Sequence, residues 1–193
     1  MKRTLLAVGG TIVALLLILI PLYRILAKGE GGAGGADWRV AQLYGNGASV
    51  DCLVAPQSVD AFVLDPGSGI AAGPPLPQTS ESPTVIGRYA ALANTTSTLA
   101  DAATMKELSE ILLDQNTYDW KRAKSVPFRP TLGLRFVRDA SRLEVAICFE
   151  SNMVVAYRMG RFTGVEDMDA ARPRLVAIAK RLFPNDWRFS SLR

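Results

Sequence analysis

Apolar residues recur at every second position through the later part of the chain. Leu132, Leu134 and Phe136 alternate with Gly133, Arg135 and Val137, and Leu143, Val145, Ile147 and Phe149 alternate with Glu144, Ala146, Cys148 and Glu150. A period of two marks strands with one buried face. A loop over residues 139–142 pairs Phe136 with Val145, Leu134 with Ile147 and Leu132 with Phe149, so every large apolar side chain falls on one face. Ser151-Asn152 supplies the next turn, and residues 153–159 return as a third strand.

The period changes to 3.6 near the end of the chain. Leu175, Ile178, Ala179, Leu182 and Phe183 form one helical stripe. Asp169 is placed to cap this helix, Pro173 suits its first turn, Lys180 and Arg181 sit at the end its dipole favours for cations, and Pro184 stops it. A second helix is predicted over residues 99–113, with Thr98 as cap, Asp101 in its first turn, and Met105, Leu108, Ile111 and Leu112 as the buried stripe. Short runs at 50–54, 59–64 and 84–89 carry β-branched or aromatic residues between turn residues and are predicted as strands. Together these elements predict an α+β fold: an antiparallel sheet with a three-stranded meander and two covering helices.

Two segments break the periodicity. Residues 29–36 hold five glycines in eight positions, the composition of a flexible tether. Residues 66–83 hold five prolines and three glycines and are expected to form a long loop inside the domain, which spans 37–193. Ahead of the tether, residues 4–23 are uncharged and strongly apolar, preceded by Lys2 and Arg3 and closed by Arg24. As a helix, such a run crosses the roughly 30 Å core of a bilayer. It exceeds the apolar core of an ordinary cleavable signal, and its nearest small-residue sites are poor: Ala27 follows the bulky Ile25, and Ala36 lies far downstream. An uncleaved anchor is expected, with the domain outside the cytoplasm; secretion after signal cleavage is the alternative. The positive-inside rule favours the same orientation by a narrow margin.

Charge refines the picture. The chain carries a formal net charge of +4, and residues 1–30 supply most of it. Residues 31–115 hold three bases and nine acids; residues 116–193 hold fifteen bases and eight acids. The halves largely neutralise each other, so specific nucleic-acid binding is not expected. The basic half instead suits an anionic lipid surface or an envelope protein or polymer. The chain contains no histidine, which removes Ser-His-Asp and Cys-His nucleophilic sites and His-ligated zinc. Cys52 and Cys148 are too few for a thiolate metal site, no P-loop is present, and Ala72 stands where a dinucleotide fingerprint begun at Gly67-Ser-Gly69 needs its third glycine. No cofactor and no metal are expected.

Arg135, Glu144 and Glu150 are predicted to share the second face of the meander, with Arg135 diagonal to Glu144. They form either a cross-strand ion-pair cluster or paired carboxylates for acid/base work. Tyr118 and Trp120 lie among Lys121, Arg122 and Lys124, which suits either packed aromatics with solvated bases or a headgroup-binding turn. Cys148 is expected to be a buried thiol, with a disulfide to Cys52 open in an oxidising compartment.

From Tyr118 onward, Tyr118-Asp119, Ala123-Lys124, Phe128-x-Pro130, Leu134-Arg135-Phe136, Cys148-Phe149-Glu150 and Lys180-Arg181-Leu182-Phe183-Pro184 follow one order and spacing. In this stretch of about 80 residues (114–192) the chain resembles a family of uncharacterised exported bacterial proteins. The resemblance implies export and a shared fold, and no particular activity. The expected function is therefore a membrane-tethered, non-catalytic binding or structural module of the cell envelope. A hydrolase or transferase using carboxylates and Arg135 is the alternative.

Overall fold

The computed structural model describes residues 36–68, 84–93, 95–98, 101–121 and 124–193. The apolar run at 4–23 and nearly all of the tether and long loop lie outside them. No helix among the described residues is long and apolar enough to cross a membrane.

The fold is α+β. Its sheet has the order β4-β1-β5-β6-β7-β8, and every neighbouring pair is antiparallel. The strands are β1 (Ser58–Val63), β4 (Ser97–Thr98), β5 (Leu132–Arg138), β6 (Ser141–Cys148), β7 (Met153–Arg158) and β8 (Arg161–Asp167). A separate two-stranded ribbon, β2 (Val85–Ile86) with β3 (Tyr89–Ala90), lies over one face. The other face carries α1 (Trp38–Tyr44), α2 (Gly47–Val54), α3 (Ala102–Leu113) and α4 (Arg172–Leu182), followed by a one-turn helix α5 (Trp187–Ser190). Four helices thus pack where two were predicted.

The meander forms with a register two residues away from the predicted one. Asp139 takes a left-handed conformation (φ 53) and makes a two-residue turn with Ala140, so Ser141 and Arg142 join β6. Leu132 then faces Ile147, Leu134 faces Val145 and Phe136 faces Leu143. Two-residue turns match strand twist better than the longer loop, and Asp tolerates the left-handed region. An even shift leaves every side chain on its original face, so the predicted core survives.

Residues 50–54 are helical, not a strand. Ser49, Val50, Cys52 and Leu53 are buried on one side of α2, which starts directly after the turn at Gly45-Asn46. The β-branched Val50 and Val54 hid that helical spacing. α1 went unpredicted: Asp37 accepts the Arg39 backbone N–H at 2.9 Å, and Gly45 (φ 87) closes the helix in the left-handed region. Residues 84–89 do not form one strand, because Gly87-Arg88 folds them into the β2–β3 ribbon. Thr98 belongs to β4, so Asp101 caps α3 instead, accepting from Ala103 N and Thr104 N at 3.0 Å each. Asp169 does not cap α4; it opens a short 3-10 turn (Asp169–Ala171) just ahead of that helix.

The main core lies between the sheet and the helices. Val40, Leu53, Leu108, Ile111, Leu134, Val145, Ile147, Leu175 and Ile178 all belong to it. A smaller core lies under the ribbon and joins Phe62, Leu64, Ile86, Tyr89, Ala146, Val155 and Tyr157. At Gly87 (φ 60) a Cβ would fall 2.3 Å from the Tyr157 ring, so the ribbon's turn rests on that ring only because the residue is glycine.

Candidate functional site

The three charged residues nominated on the second sheet face divide. Arg135 and Glu144 stand directly opposite each other in the β5–β6 ladder rather than on a diagonal. The Glu144 side chain is 2% exposed. Its Oε1 accepts from Arg135 Nε at 3.2 Å and Nη2 at 3.1 Å, and forms an ion pair, without a hydrogen bond, with Arg142 Nε at 3.4 Å. Its Oε2 accepts from the Gly87 backbone N–H at 3.2 Å. Arg135 Nη2 also donates to the Val85 carbonyl at 2.8 Å, and its guanidinium lies over Phe62, 5.2 Å from the ring centroid. Two arginines and one carboxylate therefore clasp the β2–β3 ribbon to the sheet, and Glu144 is sealed beneath it. Glu150 does not join them: it is exposed in the turn after β6 ends at Cys148.

Tyr118 is a core residue. Its hydroxyl donates to the Leu112 carbonyl at 2.7 Å, which leaves Tyr44 to donate to Tyr118 across 2.6 Å. Burial drives both phenols far above their ordinary range, and it pushes Tyr157 up to about 12. The unfolded chain ionises its tyrosines near 10 while the fold still holds these protons. Stability is therefore fully present below about pH 10 and is expected to fall as pH rises from about 10 through 12. Denaturant melts across that range, with tyrosinate absorbance followed in parallel, would show this. Tyr157→Phe should flatten the loss, and an unchanged profile would show that Tyr157 does not hold its proton through burial.

Trp120 packs beside Tyr118 at 5.0 Å, donates from Nε1 to the Gln115 carbonyl, and carries Arg39 over its ring at 5.1 Å. With Val165 and Glu166 it lines two neighbouring clefts, of about 210 and 310 Å³, at the edge strand β8. Burial, then the charges of Asp167 and Asp119, raises the Glu166 carboxyl above its usual range. Beside the larger cleft Lys124 Nζ meets Asp167 Oδ2 at 2.7 Å, Asp169 Oδ2 at 2.9 Å and the Ser151 carbonyl at 3.1 Å. Burial works to lower the Lys124 ammonium, but these bonds outweigh it and hold the group above its ordinary range. The same ammonium heads the causes that hold Asp169 below the usual carboxylate range. This latch ties Lys124 to the β6–β7 turn and to the residues at the end of β8. No cluster of three or more potential metal ligands occurs among the described residues.

The open disulfide between Cys52 and Cys148 does not form. Both thiols are free and buried. Cys52 lies in the helix-side core, whereas Cys148 alternates with Leu143, Val145 and Ile147 and so faces the other way, leaving the sheet between them.

One surface was not nominated from the sequence. Arg138 and Arg142 flank the β5–β6 turn, Arg158 and Arg161 flank the β7–β8 turn at Met159-Gly160, and Arg88 in the ribbon turn reaches the Tyr157 hydroxyl. The Met159 N–H donates to the Arg142 carbonyl at 3.0 Å, which brings the two main turns together. Met159 is 53% exposed and Phe162 57%. Two carboxylates lie beside them: Asp139, 3.9 Å from Arg138, and the buried Glu144, 3.4 Å from Arg142. The net basicity of residues 116–193 was legible, but its concentration at one end of the sheet depends on which turns are neighbours.

No family model, no curated protein and no solved structure matches this chain.

Proposed function

We propose that the chain is a membrane-tethered module of the bacterial cell envelope, held by residues 4–23 as an uncleaved helix, with its α+β domain outside the cytoplasm, where it binds a partner and performs no covalent chemistry. One contrast carries this reading. The charges inside the domain are consumed by structure: Glu144 is closed off by Arg135, Arg142 and Gly87, and Asp167 is held by Lys124. At the hairpin end of the sheet, by contrast, Arg158 and Arg161 face solvent, beside exposed Met159 and Phe162. A buried, paired carboxylate suits a clasp, whereas solvated cations beside exposed apolar side chains suit recognition. The carboxylate-based hydrolase alternative needs Glu144 to reach a substrate, and the ribbon covers it.

The anchor and the location are tested together. Alkaline carbonate extraction of cells expressing the full chain should leave it in the membrane pellet, with Lys2 and Arg3 retained on N-terminal sequencing. Protease added outside the inner membrane should remove the domain. Release into the soluble fraction, or a mature start near Gly29 or Asp37, would overturn the anchor; a protected domain would overturn the orientation.

A further inference from the structure

We propose that the arginine-flanked hairpin end of the sheet, with Met159 at its tip, docks onto the anionic lipid surface of the membrane that holds the chain. The proposal rests on the tethered reading and names the partner and the surface. Two local features there run against fold stability. Arg158 and Arg161 sit directly opposite each other across the β7–β8 ladder, and like charges in that position repel. Met159 occupies the left-handed region (φ 50), where a tight hairpin normally places Asn, Asp or Gly. Neither is repaid inside the fold: both arginines are exposed without an ion pair among the described residues, and Met159 projects into solvent. Residues that break local rules without a structural return are the ones to read for function.

The chemistry of the patch fits a bilayer interface. Three exposed arginines, Arg88, Arg158 and Arg161, stand around the neighbouring turns, with Arg138 and the Glu144-paired Arg142 partly exposed beside them, and guanidinium groups pair well with lipid phosphates. Met159 and Phe162 are exposed among them as apolar side chains able to enter the headgroup boundary. The reach is sufficient. α1 begins at Trp38 near the Glu166 end of β8 and closes at Gly45 against Thr163 and Arg158, so the tether joins the domain at the far end of β8 from the tip. β8 is about 20 Å long, and an eight-residue tether extends to about 28 Å, so the tip can touch the same bilayer the tether leaves.

The test places an environment-sensitive fluorophore on Ala140→Cys, in the exposed turn beside the tip, and on Ala177→Cys, an exposed position on α4, as reference; Cys52 and Cys148 are buried and resist labelling. The full chain is reconstituted into phosphatidylcholine vesicles with or without about a quarter phosphatidylglycerol. The Ala140 probe should shift to the blue and be quenched by spin-labelled lipid only where phosphatidylglycerol is present, and should return to its aqueous state at about 0.5 M salt. The Ala177 probe should not respond. Arg161→Glu turns the like-charge pair into an opposite-charge pair, so it should raise or preserve the melting temperature while cutting the lipid-dependent quenching about tenfold. Met159→Gly should likewise preserve folding and weaken the signal. Equal signals in both vesicles, quenching unaffected by Arg161→Glu, or a probe that responds to a DNA oligonucleotide and not to vesicles would overturn the proposal. Carbonate stripping of the vesicles separates the two readings. If the chain is released, the anchor fails, and flotation of the freed protein with the same vesicles still decides the docking.

Discussion

Ile147→Asp is expected to abolish cooperative folding. Ile147 is fully buried on the helix-side face of β6, between Leu132 on β5 and Val154 on β7. Losing a buried isoleucine side chain costs about 2–5 kcal/mol in a packed core. Burying a carboxylate without a partner adds several kcal/mol more, or forces its protonation. The sum reaches the whole stability of an ordinary domain, about 5–15 kcal/mol. Circular dichroism should show no cooperative thermal transition in the variant, while Ile147→Val should melt within a few degrees of the parent. A transition unchanged by the aspartate would mean that the side chain faces solvent and the alternation has been assigned to the wrong face.

Glu144→Ala should destabilise the domain by about 3–5 kcal/mol, because it leaves the part-buried Arg135 without its counter-charge and removes the acceptor of the Gly87 N–H. The loss should be felt first where the clasp acts. Hydrogen exchange at residues 85–90 should accelerate more than at the centre of the meander, since the ribbon is held to the sheet through Gly87 and Val85. Replacing the opposed pair together, Arg135→Met with Glu144→Leu, should recover part of the loss, as it removes the more buried of the two arginines and leaves only Arg142, about a third exposed to water, without its counter-charge. A variant that keeps its stability and its ribbon protection would show that the cluster is not a clasp and would restore its standing as a chemical site.

The alternation in residues 132–149 and the stripe in residues 172–183 were legible because each reports a long element with one buried face, and burial there comes from non-directional packing that tolerates shifts of register. The core list therefore holds even though the hairpin turn is two residues shorter than read. Short elements were not legible. α1 and α2 have seven and eight residues, too few for a period to separate them from strands, and both take their stability from the sheet beneath them. β8 hides because it is an edge strand with a register shift opposite Ala156 and Tyr157, so its inward and outward positions do not alternate cleanly.

The same division holds for the candidate sites. The sequence by itself determined which chemistries lack their residues: without histidine and with two lone cysteines, the familiar nucleophilic and zinc sites have nothing to be built from. It also determined the amphipathic pattern that makes the sheet. Only the tertiary structure decided that Arg135 and Glu144 oppose each other under a ribbon, because that depends on register and on where residues 85–90 land. It placed Cys52 and Cys148 on opposite faces for the same reason. It also gathered Arg88, Arg138, Arg142, Arg158 and Arg161, spread over 74 positions of sequence, around two neighbouring turns. Charge composition is additive along a chain, whereas a charged surface depends on which turns the sheet brings side by side.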